Sequence, residues 1–147
     1  MSTYLLDVNV LIALTWPHHV HHLVTRSWFD REGCASWATC PITELGFVRV
    51  SSNPNAIRDA DSPPEAVAVL KRLTDLSGHH FWRDDLPVRA TGPLAALSLV
   101  GHRQVTDAYL VALAEHNGGK LATLERGVPD LVSDRAERAR WVEVIAV

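Results

Sequence analysis

Thiols are scarce: two cysteines, Cys34 and Cys40, in 147 residues, and no CxxC pair. That excludes a thiolate zinc site and a disulfide-stapled scaffold, and leaves two free, mostly buried thiols as the expectation for a reducing compartment. Positive charge is scarce as well. Lys and Arg number 14 against 17 Asp and Glu, for a formal net charge of −3. Proteins that hold nucleic acid by bulk charge are usually strongly basic, so the balance counts against that class; it does not exclude an enzyme whose acidic ligands subtract from the total and whose phosphates are held by a local basic patch. No uninterrupted apolar run approaches the ~18 residues of a membrane span. The opening Met-Ser-Thr-Tyr-Leu-Leu-Asp has neither a basic n-region nor an apolar h-region before Asp7. The expectation is a cytoplasmic protein with no membrane partner. Internal repeats, low-complexity tracts and linkers are absent too. Residues 1–147 are therefore expected to form one domain, with enough length and apolar content to bury a core.

What is present is an alternation of short apolar runs and helical patterns. Thr3–Leu6 reads as a buried strand running straight into Asp7, and the apolar 8–15 stretch as a helix broken at Trp16-Pro17. A helix is expected over 19–31, stopping at Gly33, then a strand over 34–38. Pro41 suits the first position of a helix reaching about Val50. Ser62 and Glu65 form a capping-box pattern ahead of helically spaced Val67, Leu70, Leu73 and Leu76. Further strands are expected at 80–82, 121–124 and 141–145. Residues 93–99 suggest one or two helical turns, and a helix is expected over 104–116 before the Asn117-Gly118-Gly119 stop. Such alternation implies βαβ units and a mostly parallel sheet covered on both faces.

Carboxylates at the starts of these elements carry the chemistry. Ligands of open α/β sheets gather at the carboxyl ends of the strands, where Asp7 and Glu125 follow the first and fourth strands. Asp107 sits in Val-Thr-Asp-Ala-Tyr-Leu-Val-Ala-Leu-Ala and Glu44 in Ile-Thr-Glu-Leu-Gly-Phe-Val, both apolar surroundings where an unpartnered carboxylate is rare. Helix capping accounts for each acid taken singly. Four together, with no lysine beside any of them, favour a shared hard cation, because mutual repulsion otherwise raises their pKa values. Mg²⁺ or Mn²⁺ in such a site activates water against a phosphodiester.

The segments Leu-Leu-Asp-Val-Asn-Val-Leu-Ile-Ala-Leu (5–14), Thr-Glu-Leu-Gly-Phe-Val-Arg (43–49), Val-Thr-Asp-Ala-Tyr-Leu (105–110) and Leu-Ala-Thr-Leu-Glu-Arg-Gly (121–127) resemble, in order and spacing, PIN-domain ribonucleases. Within these, the resemblance is to the VapC toxins of bacterial VapBC toxin–antitoxin pairs. It implies a three-layer α/β/α PIN-like fold with a central parallel sheet of four to five strands. It also implies a toxin-type endoribonuclease that cleaves RNA phosphodiesters with a metal-activated water, using Mg²⁺ or Mn²⁺ held by Asp7, Glu44, Asp107 and Glu125. Related toxins usually carry Asp at the Glu125 position, so Glu125 is the conditional member. Asn9, Thr106 and Thr123 are implied as polar support for these acids, and a VapB-like antitoxin and a homodimer as the assembly.

Other features admit plainer readings. His18 and His22 stand i, i+4, yet no third ligand is identifiable. Arg126 and Arg49 are candidates for phosphate contact. Arg135, Arg138 and Arg140 are interleaved with Asp134 and Glu137, as on a solvated face. Trp16, Trp28 and Trp37 read as core or interface residues, with base stacking as the functional alternative. A haloacid-dehalogenase-type phosphatase needs a second acid two residues after the nucleophile, where this chain has Asn9. A non-catalytic PIN-like module that binds RNA or protein is the alternative from a different class.

Overall fold

A computed structural model describes residues 2–88 and 101–146. The 93–99 helical turns expected from the sequence lie outside the described residues. Elements run in the order β1 (Tyr4–Leu6), α1 (Val8–Thr15), α2 (His22–Arg31), β2 (Trp37–Thr39), α3 (Pro41–Ser51) and α4 (Pro63–Thr74). There follow β3 (His79–Phe81), α5 (Val105–His116), β4 (Lys120–Thr123), α6 (Arg138–Trp141) and β5 (Val142–Val144). The strands form one five-stranded sheet in the order β3-β2-β1-β4-β5, every pairing parallel. Tyr4 stands opposite both Trp37 and Lys120, so β1 is the central strand.

Short strands buried on both faces explain the continuous apolar runs. Side chains alternate across the sheet. Leu5, Ala38 and Leu121 join one core cluster with the buried face of α5, from Ala108 to Ala114. Leu6, Trp37 and Ala122 join the other with Val10, Leu11 and Ile12 of α1, Trp28 and Phe29 of α2, Phe47 of α3 and Leu70 of α4. The three-layer α/β/α arrangement with a parallel sheet is thus as the sequence implied.

Local signals set several element ends. Ser62 Oγ accepts from the Glu65 N–H while Glu65 Oε1 accepts from the Ser62 N–H, and Pro63 opens α4. The Cys40 N–H donates to Thr43 Oγ1 at 3.0 Å at the start of α3. Gly46 lets α3 press against α1, since a Cβ there would lie 2.5 Å from Val8 Cγ2.

Three boundaries differ from expectation by more than one residue. Helix α2 begins at His22, not His19, because Pro17 leads into tight turns (His19 N to Trp16 O, His22 N to His19 O) and His22 Nδ1 bonds the Ala13 carbonyl. Strand β2 begins at Trp37, because Gly33–Ala35 form a 3₁₀ turn against which Gly78, at φ +88°, packs its backbone. Helix α4 ends at Thr74 rather than near Gly78; the Asp75 N–H closes it onto the Lys71 carbonyl. The thiol expectation is half corrected: Cys40 is buried at the head of α3, whereas Cys34 is exposed in the 3₁₀ turn.

Candidate active site at the carboxyl edge of the sheet

The chain leaves β1, goes to β2 on one side, and later returns to place β4 on the other. The carboxyl ends of β1 and β4 therefore flank the switch point of the sheet, where such folds open a crevice. A cleft of ≈ 430 Å³ opens there, lined by Asp7, Asn9, Thr106, Asp107 and Glu125 together with Val8, Ile12, His19, Val50, Ala56, Ile57 and Leu110.

Asp7 is the most constrained of these acids. It caps α1, with Oδ1 accepting from the Val8 N–H at 2.8 Å, and its own N–H extends the β1–β4 ladder to the Ala122 carbonyl at 3.0 Å. Its other oxygen accepts from Thr123 Oγ1 at 2.9 Å. Only 6% of the residue is exposed. Burial pushes its pKa from 3.8 up to about 6; the Thr123 and Val8 hydrogen bonds oppose the rise, and the Asp107 and Glu125 charges add to it. Asp107, on the first turn of α5, is raised too, by burial first and by Glu125 second. Among the described residues, none of these acids takes part in a salt bridge.

Thr123 organises the edge. While donating to Asp7, its hydroxyl accepts from Asn9 Nδ2 at 3.3 Å and from the Glu125 N–H at 3.1 Å. Asn9 Oδ1 accepts from the Leu124 N–H at 3.2 Å. Asn9 therefore reaches the carboxylates through Thr123 rather than directly, and it ties α1 to the end of β4. Thr106 is exposed and lines the cleft beside Asp107.

Glu44 is placed differently. It does not line this cleft; its Oε2 accepts from Thr39 Oγ1 at 2.7 Å. Because that hydroxyl has given its proton to Glu44, the His79 Nε2 atom 2.7 Å away must donate to it. The ring of His79 lies against Trp37, with centroids 4.7 Å apart. Among the described residues no three His, Cys, Asp or Glu side chains converge closely enough to cage a metal. An all-oxygen set of partly buried carboxylates still suits Mg²⁺, which keeps several waters and takes one or two carboxylates.

The PIN domain family model matches residues 4–132. The chain is 48% identical to Ribonuclease VapC39 of Mycobacterium tuberculosis over 133 residues, 89% of this chain and 94% of that protein. It is 46% identical to Ribonuclease VapC38 of the same organism over 132 residues, 89% of this chain and 91% of that one. This chain belongs to the PIN-domain family, among the VapC toxins. Its fold is also that of VapBC from Salmonella typhimurium, solved bound to DNA, with a TM-score of 0.61 at 15% identity, covering 99% of this chain and 100% of the other. VapBC2 from Rickettsia felis gives 0.57 at 13%, covering 98% and 99%.

The remaining candidates of this PIN domain are scattered. Arg49, exposed on the last turn of α3, and Arg126, exposed after Glu125, are not among the residues lining the cleft. Arg138 pairs with Asp130 and Arg140 with Glu137, as expected of a solvated face. Trp28 and Trp37 are buried in the core. Sequence reading did not single out His19 for the cleft, nor Thr39 and His79 beside Glu44. Thr39 carried a usable signal. The central strands end in buried polar residues (Thr39 on β2, Thr123 on β4, and Asp7 just after β1), and a buried polar group at a strand's carboxyl end calls for a partner.

Proposed function

We propose that this PIN domain is a metal-dependent endoribonuclease of toxin type, hydrolysing RNA phosphodiesters at the cleft of Asp7, Asp107 and Glu125. The observation that carries the reading is Asp7. A carboxylate this buried, raised to about 6 and beside two more acids, is unfavourable as an apo arrangement and is relieved by a cation. The ribonuclease names of the relatives, at up to 48% identity, support RNA as the substrate.

Asp7, Asp107 and Glu125 would hold Mg²⁺ or Mn²⁺, and Glu44 would contribute from the adjoining strand end, oriented by Thr39. The bound ion would lower the pKa of a water and offset charge on the phosphoryl group. The protein's own part is positional. Thr123 fixes one Asp7 oxygen and the Val8 N–H the other, while Asn9 keeps the Thr123 hydroxyl aimed at Asp7. Val8, Ile12 and Leu110 give the cleft an apolar wall beside the acids, which strengthens the electrostatics of the most buried of them, Asp7. The VapBC structures that share the fold support a VapB-like antitoxin partner. Val20, in the turn ahead of α2, and Leu23, on its first turn, are 84% and 82% exposed and are the apolar surface a homodimer or antitoxin contact would cover.

The test is incubation of purified protein with total RNA in Mg²⁺ or Mn²⁺, then with chelator. Metal-dependent fragments, lost in Asp7→Asn, are the expected result. RNA binding with no cleavage under any metal would instead establish the second reading, a non-catalytic module. That alternative is favoured by the position of Glu44, which is not among the residues lining the cleft.

A further inference from the structure

A second cavity, of ≈ 240 Å³, is lined by Trp16, Pro17, His18, His19, Ala56, Ile57 and Arg58. It shares His19, Ala56 and Ile57 with the acidic cleft, so the two cavities adjoin. Neither the acids nor the polar residues supporting them explain this extension.

Its walls are set before any ligand arrives. Trp16 Nε1 donates to Ser51 Oγ at 3.0 Å, and the indole stacks on Phe47 with 4° between planes and centroids 6.4 Å apart. Opposite, Ala56 and Ile57 are held by a turn in which both N–H groups donate to the Asn53 carbonyl and Asn53 Oδ1 accepts from the Asn55 N–H. Such preorganised walls reduce the ordering cost of binding. His19, where the two cavities meet, accepts at Nδ1 from the His21 N–H at 3.0 Å. Its neutral form must therefore carry its proton on Nε2. Burial, then the neighbouring His21 and His22, lower its pKa, which keeps it neutral near pH 7. Arg58 is exposed on the rim, and among the described residues no ion pair engages it.

We propose that this extension is a subsite for one unpaired nucleotide of the RNA, adjacent to the phosphodiester at the carboxylates. Its base lies against Trp16 and Ile57, His19 Nε2–H donates to it or its ribose, and Arg58 takes its phosphate. The inference rests on the ribonuclease reading and adds where the neighbouring nucleotide is held. A flat, partly apolar heterocycle joined to an anion matches an aromatic and aliphatic slot with one rim cation. Adjacency to the cleft places it one step along the strand. A polypeptide would fill the same apolar walls but has no recurrent anion for Arg58.

The probe is a fluorescein-labelled, mixed-sequence, single-stranded 12-nucleotide RNA, titrated in EDTA so that binding is read without cleavage. Arg58→Ala should weaken binding about fivefold and reduce the slope of log affinity against log salt by about 0.7, as for one lost single-strand phosphate contact. His19→Ala should weaken binding by a similar factor with the slope unchanged, since a neutral donor is lost. Arg72→Ala, on the exposed face of α4, should change neither. Indole emission should be quenched on RNA binding in the wild type and much less so in Trp16→Phe. Wild-type protein that binds and cuts RNA while Arg58→Ala and His19→Ala keep full affinity and slope overturns the subsite alone. Unchanged Trp16 emission with tight RNA binding overturns it too. Wild-type protein that neither binds nor cuts RNA removes the underlying reading instead.

Discussion

Replacing Asp7 with Asn should abolish RNA cleavage and, above neutral pH, make the metal-free protein more stable. Asp7 has a pKa of about 6 in the fold against 3.8 in the unfolded chain. A raised carboxyl pKa means the folded state holds its proton more tightly. Its contribution is therefore fully present below pH 3.8 and lost as pH rises through about 6. Roughly two units correspond to ~3 kcal/mol of destabilisation once Asp7 is fully ionised. Asn cannot ionise and escapes that loss. It brings a fixed penalty of its own: its Oδ1 can still accept from the Val8 N–H, but its Nδ2 would face a Thr123 hydroxyl already accepting from Asn9 and Glu125. That conflict costs ~1 kcal/mol. The variant should thus be about as stable as wild type near pH 4.5, where the two effects offset, and more stable, by ~2 kcal/mol, near pH 7.5. Urea unfolding in EDTA, followed by far-ultraviolet circular dichroism across that range, measures the difference. Contributions from the other titrating groups cancel between the two proteins to first order. Two stability curves that run parallel from pH 4.5 to 7.5 would refute the claim that Asp7 is held against ionisation.

Adding Mn²⁺ or Mg²⁺ should raise the melting temperature of the wild type but not of Asp7→Asn or Asp107→Asn. At a hundredfold excess over the dissociation constant the gain is ~2.7 kcal/mol, and no shift in the wild type removes the cation from the account. Glu125 is exposed, so Glu125→Gln should lower RNA cleavage less than Asp7→Asn does; equal losses in initial rate would make Glu125 a full partner. Thr39→Val should strip Glu44 of its hydroxyl donor, weakening Mn²⁺ binding by calorimetry and slowing cleavage, whereas Thr39→Ser should restore both. Gly46→Val should destabilise the fold by ~1–3 kcal/mol in chemical denaturation, because α1 and α3 must separate where Val8 meets the glycine. Wild-type stability in that variant would mean the close approach is not needed.

What the chain settles locally, its sequence already displays. Pro41 and the Ser62–Glu65 pair start helices where they stand, Asn117-Gly118-Gly119 follows the end of α5, and Asp7 caps the helix that follows its strand. Each of these depends on hydrogen bonds within about one turn of chain, so residue order alone determines them. Placement in apolar surroundings at element starts marked the four acids and the strand–helix alternation marked the layered fold, and family motifs agreed with both. Tertiary structure decided which of those acids meet. The strand order β3-β2-β1-β4-β5 brings Asp7 and Glu125 to one cleft with Asp107 although more than a hundred residues separate the first two. It also sets Glu44 beside Thr39 and His79, a grouping that depends on β2 and β3 being neighbours. His19 enters the cleft because Pro17 and the His22–Ala13 bond replace the expected first turn of helix with tight turns. The hydrophobic pattern along the chain marks which side chains are buried but not which distant strand they lie beside. Proximity across the sheet is fixed only when both faces pack, and the candidate site is made of that proximity.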